Sequence, residues 1–79
     1  MSNKQFSERL NKELDEIGVP QRADERVEVF AKLINIPRGK AEAILNGNIH
    51  SGTPLLQLIA EELEVNPEWL LGKSDKRHN

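Results

Sequence analysis

The chain has 79 residues, a formal net charge of −2 and no cysteine. This length supports one small domain, whose core must come mainly from Leu, Ile, Val and Ala because only two Phe and one Trp are present. The lack of cysteine excludes disulfides and thiolate metal sites. The polar N-terminus and the absence of a long apolar run predict a cytoplasmic protein without signal segment or membrane partner.

The first two predicted helices are separated by a short connector. Apolar residues at helical spacing predict an amphipathic helix from about Lys4 that ends near Gly18. Pro20 favours an extended backbone in the residue before it, which makes this region a connector. The second helix is expected to take Asp24 as its N-cap and to run to about Ile34.

The second helix has more apolar residues than one face can hold. Val29 and Leu33 lie beside its main apolar stripe. The stripe consists of Val27, Phe30, Ala31 and Ile34. We interpret the helix as a central one that is buried on two sides. The alternative places Val29 or Leu33 in an interface with a partner.

Two short helices joined by a tight turn are predicted within 27–47, which is the arrangement of a helix-turn-helix. Asn35 occupies the turn, since Asn tolerates the left-handed backbone, and Pro37 suits the first position of the next helix. That helix is predicted to span about 37–46 and to enter a DNA major groove as the recognition helix. Gly39 is unfavourable inside it and indicates either tolerance or a close backbone approach.

The exposed face of the predicted recognition helix offers side chains that can read base edges. Arg and Lys bind guanine, Glu accepts from cytosine N4 and Asn pairs with adenine. An ordinary solvated helix face has the same residue types, but the position within the helix-turn-helix favours reading of bases. The candidate base-facing residues are Arg38, Gly39, Lys40, Glu42, Ala43 and Asn46.

Phosphate contacts are predicted in the loop that follows the recognition helix and near the start of the second helix. The candidates are Asn48, His50, Ser51 and Thr53, with Arg22 and Arg26 as helpers. His50 has no partner at metal-ligand spacing, so it is interpreted as a loop residue or a phosphate contact and no metal site is expected.

The C-terminal third of the chain predicts two further helices and a tail. Thr53 as cap and Pro54 at the first position begin a fourth helix, and Asn66-Pro67 begins a short fifth one that ends at Gly72. The fourth helix is the most apolar and is expected to form the centre of the core with Leu55, Leu56, Leu58, Ile59, Ala60 and Leu63. The domain is therefore expected to span 1–72, with 73–79 as a flexible tail or the start of a linker.

Four segments in order resemble the N-terminal DNA-binding domain of the lambda-repressor-like helix-turn-helix family, prophage repressors in particular. They are FSERLNKELDEIGVP (6–20), FAKLINI (30–36), AEAILNG (41–47) and LIAEELEVNPEWLLG (58–72). The resemblance implies an all-α fold, a compact bundle of five short helices around the helix-turn-helix. It also implies a bacterial or phage-encoded transcriptional regulator that binds a palindromic operator as a homodimer, without cofactor. Repressors of this kind often continue into a C-terminal domain, so a further domain is a possible extension.

The leading hypothesis is a phage repressor-like protein that binds double-stranded DNA in a sequence-specific manner. The charge distribution supports an alternative, because 54–72 has four Glu and no Lys or Arg, whereas 36–53 has a net charge of only +1. Val27 also stands where the family often has a Gln that holds a phosphate. The alternative is an anti-repressor or antitoxin-like protein-interaction module that keeps the fold and binds DNA weakly or not at all. We expect no enzymatic activity, since the sequence has no nucleophile–base pair and no glycine-rich phosphate loop.

Overall fold

The structure is a computed structural model that describes residues 3–49 and 54–78. Within these ranges the chain forms five helices: α1 (Lys4–Glu16), α2 (Ala23–Ile34), α3 (Arg38–Leu45), α4 (Pro54–Leu63) and α5 (Pro67–Leu70). The prediction of an all-α bundle of five short helices is confirmed. None of the helices in the described ranges combines the length and the apolarity that crossing a bilayer requires.

Most helix ends lie where the local sequence predicts them. α1 starts after Asn3, whose side-chain oxygen accepts a hydrogen bond from the Phe6 amide at 2.9 Å. Gly18 follows α1 with a φ of +86°, and Asn35 follows α2 with a φ of +62°. Both are left-handed conformations that favour these two residue types. The Asn66 side chain caps α5, as predicted, by accepting from the Glu68 amide at 3.0 Å.

The starts of α2 and α3 differ by one or two residues from the predictions. α2 begins at Ala23, because the Arg26 amide already donates to the carbonyl oxygen of Arg22 at 2.8 Å. Asp24 therefore lies inside the first turn, and the prediction that it caps the helix is wrong. Pro37 keeps an extended ψ of 149° and precedes α3, whose first residue is Arg38.

The hydrophobic core draws on all five helices, and α2 packs most extensively against α3. The largest fully buried side chains are Phe6, Phe30, Leu10, Leu14, Ile44, Leu56, Ile59 and Leu70. This distribution leaves α3 attached to the core by one side. The core therefore fixes the position of α3 and leaves its opposite side exposed.

The interpretation of α2 as a helix buried on two sides is wrong. Val29 and Leu33 are 38% and 36% exposed, whereas Phe30 on the main stripe is fully buried. A period of apolar residues shows which side chains share a face, but whether a neighbouring element covers that face depends on the tertiary structure. The apolar surface of Val29 and Leu33 is left open within the described structure.

The C-terminal segment 73–78, for which the sequence predicts a flexible tail, makes contacts with the helices. Arg77 donates to both carboxylate oxygens of Glu13, at 3.0 and 2.5 Å, and Arg9 donates to the carbonyl oxygen of Ser74 at 3.3 Å. The guanidinium carbons of Arg9 and Arg77 lie 4.8 and 6.0 Å from the ring centroid of Trp69. The hydrogen bond to Glu13, and then the charge of Glu13, raise the pKa of the Arg77 guanidinium.

Candidate nucleic-acid interface

α3 contacts the core through residues at helical spacing and presents the rest of its surface to solvent. Ala41, Ile44 and Leu45 are buried, in the i, i+3, i+4 pattern of a one-sided helix. Of the six candidate base-facing residues, Ala43 is half-buried. The other five are exposed, and they are Arg38, Gly39, Lys40, Glu42 and Asn46. The structure thus places five of the six candidates on α3 and the sixth, Asn46, at its C-cap.

The exposed side of α3 has two edges of different character. Arg38, Glu42 and Asn46 are spaced four residues apart and line a cleft of about 500 Å³ between α3 and the start of α2. We call it the polar cleft, and its other walls include Ser7 and Asn11 of α1. Its lining includes the Arg38 guanidinium and the carboxylates of Asp24 and Glu42, so the cleft can both donate and accept hydrogen bonds.

The opposite edge of α3 lines an apolar groove of about 700 Å³ between α3 and α4. Lys40 and Ala43 lie on the α3 wall of this groove, away from the polar cleft. The apolar groove is lined by Ile36, Pro37, Lys40, Ala43, Ile44, Asn48, Ile49, Pro54, Leu55 and Leu58. The six candidates therefore do not form one uniform reading surface.

The apolar groove contains residues that the sequence assigned to the core. Leu58 is 40% exposed and Leu55 is half-buried, although both were expected at the core centre. The core-facing stripe of α4 consists of Leu56, Ile59, Ala60 and Leu63. Leu55 and Leu58 lie outside that i, i+3, i+4 stripe, and this offset is the signal that could have separated them from the core.

Arg26, a candidate phosphate helper, has an interior role instead. Its Nε donates to the carbonyl oxygen of Pro20 at 2.8 Å, and Nη1 donates to the backbone and side-chain oxygens of Asn11, both at 3.1 Å. Nη2 donates to the carbonyl oxygen of Val19 at 3.0 Å and to the carboxylate of Asp15. These bonds use all five guanidinium N–H groups, and the residue is only 6% exposed. Arg26 therefore holds α2 against α1 and the connector, and its donors are not available to a phosphate.

The other arginines divide into engaged and free ones. Arg9 and Arg77 contact Trp69, and Arg22 forms ion pairs at the start of α2. The side chain of Arg38 makes no ion pair, hydrogen bond or ring contact with any residue in 3–49 or 54–78. Within the part of the chain that the structure describes, the Arg38 guanidinium is thus the arginine group without a partner, and it can bind a ligand.

The remaining phosphate candidates differ in their surroundings, and only two of them lie within the described residues. Arg22 is exposed, but its guanidinium lies 3.5 Å from the Asp24 carboxylate and 3.6 Å from that of Glu25, which offset its charge. Asn48 is exposed beyond the end of α3. Its backbone N–H donates to the Ala43 carbonyl oxygen at 3.0 Å. The three other candidates, His50, Ser51 and Thr53, lie outside the described residues.

Gly39 lies on the exposed side of α3 in open space. A Cβ built on it would have no atom within 4 Å, so no neighbouring part of the described structure requires a glycine there. Of the two explanations for Gly39, a close approach by the protein's own backbone does not apply. What remains is tolerance of an unfavourable residue or approach by an external ligand.

Comparisons of the chain with protein-family models, with curated proteins and with solved structures find no match. The likeness to lambda-repressor-like proteins is therefore carried by the four sequence segments alone. Any function has to be argued from the exposed side of α3 and its two edges.

Proposed function

We propose that the chain is a sequence-specific double-stranded DNA-binding transcriptional regulator that reads a duplex with α3. The observation that supports this most directly is Arg38, whose guanidinium has no partner among the described residues and lies at the amino end of the helix that follows a tight turn after α2. Residues at the amino end of a recognition helix are the ones that reach base edges in helix-turn-helix proteins. An arginine there can bind guanine O6 and N7 with two hydrogen bonds.

The polar cleft edge of α3 has the order of groups that base reading needs. Arg38 and Glu42 are one helical turn apart, which is about 6 Å along the axis. Successive bases of one strand are about 3.4 Å apart, so the two side chains can reach bases two steps apart. Arg38 would bind guanine, Glu42 would accept from cytosine N4, and Asn46 would reach an adenine or the sugar–phosphate backbone.

The low positive charge of this surface favours a regulator that acts as two copies. Phosphate neutralisation normally supplies much of the affinity for DNA, and the net charge of −2 limits it for one domain. A homodimer on a palindromic operator would double both the phosphate and the base contacts. The resemblance to prophage repressors supports a bacterial or phage-encoded repressor that works in the cytoplasm.

The test is a binding titration with DNA from upstream of the protein's own gene and with a shuffled duplex of equal length. We expect tighter binding to the upstream duplex, with a logarithm of affinity that falls linearly as the logarithm of salt concentration rises. Weak binding that is equal for both duplexes at every salt concentration would contradict the proposal.

A second candidate function is supported by the surface around α4 and α5. Four exposed glutamates lie there, and the apolar groove lies between α4 and α3. The glutamates are Glu61, Glu62, Glu64 and Glu68. Such a surface suits an anti-repressor or antitoxin-like module that binds a protein. The same titration separates the two functions, because this module would show no preference between the duplexes.

A further inference from the structure

We infer that the polar cleft binds a small zwitterion, a molecule with one carboxylate and one ammonium group, and that this ligand competes with DNA. The competition rests on the proposed function, which assigns Arg38 and Glu42 to base reading, and it adds a means of regulating that same site. The cleft has a volume of about 500 Å³ and lies between α3 and the start of α2. Sites for small ligands commonly have volumes of this order.

The polar cleft has one guanidinium and one carboxylate that no described residue neutralises. The side chains of Arg38 and Glu42 line it, and neither forms an ion pair or hydrogen bond with any described residue. Asp24 forms an ion pair with Arg22 at 3.5 Å, and Arg26 donates all its N–H groups to protein oxygens. The free charges of the cleft are therefore one of each sign, which complements a zwitterion better than an anion or a cation.

The order of the two free charges along α3 is unfavourable for the helix itself. Opposite charges four residues apart can pair on a helix, and they do so more favourably when the acid comes first. Glu28 and Lys32 of α2 have that order and pair at 3.9 Å. In α3 the arginine comes first, at the positive end of the helix dipole, and Glu42 lies in the last turn. Residues that break a local rule in this way are expected at functional sites.

Hydrogen bonds within the protein hold the floor of the polar cleft in place. The Ser7 hydroxyl donates to the Leu45 carbonyl oxygen at 2.6 Å, and the Asn11 side-chain amide donates to the Ser7 carbonyl oxygen at 2.8 Å. These bonds join α1 to the end of α3 beneath the cleft. A ligand would therefore meet a preformed surface, and little free energy of binding would be lost to ordering of the protein.

The spacing of the two free charges indicates the length of the ligand. Arg38 and Glu42 are about 6 Å apart along the helix axis. A zwitterion whose charges lie at the two ends of a short chain spans a separation of this size, and 5-aminopentanoate is a probe of that length. Its carboxylate would bind the Arg38 guanidinium through two hydrogen bonds, and its ammonium group would bind the Glu42 carboxylate.

The first experiment titrates the isotope-labelled chain with 5-aminopentanoate, without DNA, and follows the backbone amide signals by NMR. We expect saturable shifts at the residues around the polar cleft. Pentanoate lacks the ammonium group and pentylamine lacks the carboxylate, so each should bind about tenfold more weakly. The absence of saturable shifts, or equal affinities for the three compounds, would overturn the inference.

Variants of the two free charges locate the ligand. Arg38→Gln and Glu42→Gln should each weaken binding of 5-aminopentanoate about tenfold, because each removes one charged contact. Glu28→Gln and Lys32→Gln are the matched controls, since they remove opposite charges at the same spacing on α2 but outside the cleft. The NMR spectrum of each variant shows whether it remains folded. Cleft variants that bind like the control variants would contradict the inference.

The second experiment repeats the duplex titration in the presence of 5-aminopentanoate, with the conductivity of the buffer held constant. At ten times its dissociation constant, a ligand that competes with DNA should weaken binding to the upstream duplex about tenfold. Binding of 5-aminopentanoate that leaves the affinity for this duplex unchanged would overturn the inference.

The outcomes of the two experiments separate the ligand site from DNA binding. A chain that prefers the upstream duplex but does not bind 5-aminopentanoate would overturn the inference and leave the proposed function standing. A chain that binds 5-aminopentanoate through Arg38 and Glu42, but prefers no duplex, would support the ligand site and contradict the proposed function.

Discussion

Arg77 and Glu13 form an ion pair between residues that are 64 positions apart in the sequence. Two guanidinium nitrogens of Arg77 donate to the two carboxylate oxygens of Glu13, so the geometry is bidentate. The Glu13 side chain is only 6% exposed on α1, whereas that of Arg77 is 43% exposed. The pair therefore attaches the end of the described chain to the first helix and supplies the partner of a buried carboxylate.

Replacement of Arg77 by Ala should lower the thermal stability of the domain, because it leaves the buried Glu13 carboxylate without its cation. It should also change the emission of Trp69, the only Trp of the chain, since the guanidinium lies 6.0 Å from its ring centroid. A circular dichroism melt and a fluorescence spectrum measure the two effects. Lys76→Ala is the control, because no hydrogen bond or ion pair joins the Lys76 ammonium group to a described residue.

An Arg77→Ala variant that melts and fluoresces like the Lys76→Ala variant would show that the C-terminal segment does not stay on α1 in solution. If Arg77→Ala does lower the melting temperature, the contribution of the Arg77–Glu13 pair to stability should be constant around neutral pH. A raised pKa means that Arg77 loses its proton, and the pair its attraction, only in strongly alkaline solution.

Arg26→Lys should reduce the free energy of unfolding by about 2–4 kcal/mol. An ammonium group has three donors where the guanidinium uses five, so buried oxygens of the α1–α2 connector would lose their partners. Urea denaturation measures the change. Arg22→Lys, on the exposed start of α2, should change the free energy by less than about 0.5 kcal/mol. Equal effects of the two substitutions would contradict an interior role for Arg26.

Gly39→Ala should raise the free energy of unfolding by about 0.5–1 kcal/mol, since Ala is the better helix former and its methyl group has open space. If α3 approaches DNA closely at this position, the same substitution should weaken binding to the preferred duplex. Denaturation and duplex titration of one variant test both points. A loss of stability would contradict the open environment of Gly39.

Gly47→Ala should have the opposite effect and lower the free energy of unfolding by about 2–4 kcal/mol. Gly47 has a φ of +95°, and a Cβ there would lie 2.5 Å from the carbonyl oxygen of Asn3. The Asn3 amide also donates to the Gly47 carbonyl oxygen at 2.9 Å, so the clash would disturb the contact of α1 with the end of α3. A stability equal to that of the wild type would exclude this close contact.

The features that the sequence predicts well depend on neighbours along the chain. The left-handed Asn35 and the Asn66 cap follow from the residue itself and from residues one or two positions away. The five helices follow from caps, prolines and apolar spacing of the same local kind. Local chemistry is therefore sufficient for the all-α fold.

The features that the sequence does not predict depend on distant partners. Arg26 lies four residues before Phe30 on the apolar stripe of α2, but nothing along the chain identifies the five acceptors that its guanidinium binds. The side chain of Arg38 has no such acceptor among residues 3–49 and 54–78. The offset of Leu58 from the stripe of α4 indicates that it leaves the core, but the groove that it lines exists only when α3 and α4 are packed together.

The most direct test of DNA reading by α3 compares Arg38→Ala with Arg22→Ala in titrations of the preferred and the shuffled duplex. Loss of Arg38 should weaken binding to the preferred duplex by about 1–3 kcal/mol and leave binding to the shuffled one nearly unchanged. Loss of Arg22 should weaken binding to both duplexes slightly and equally. A preference for the upstream duplex that persists unchanged in Arg38→Ala would contradict the reading of bases by this helix.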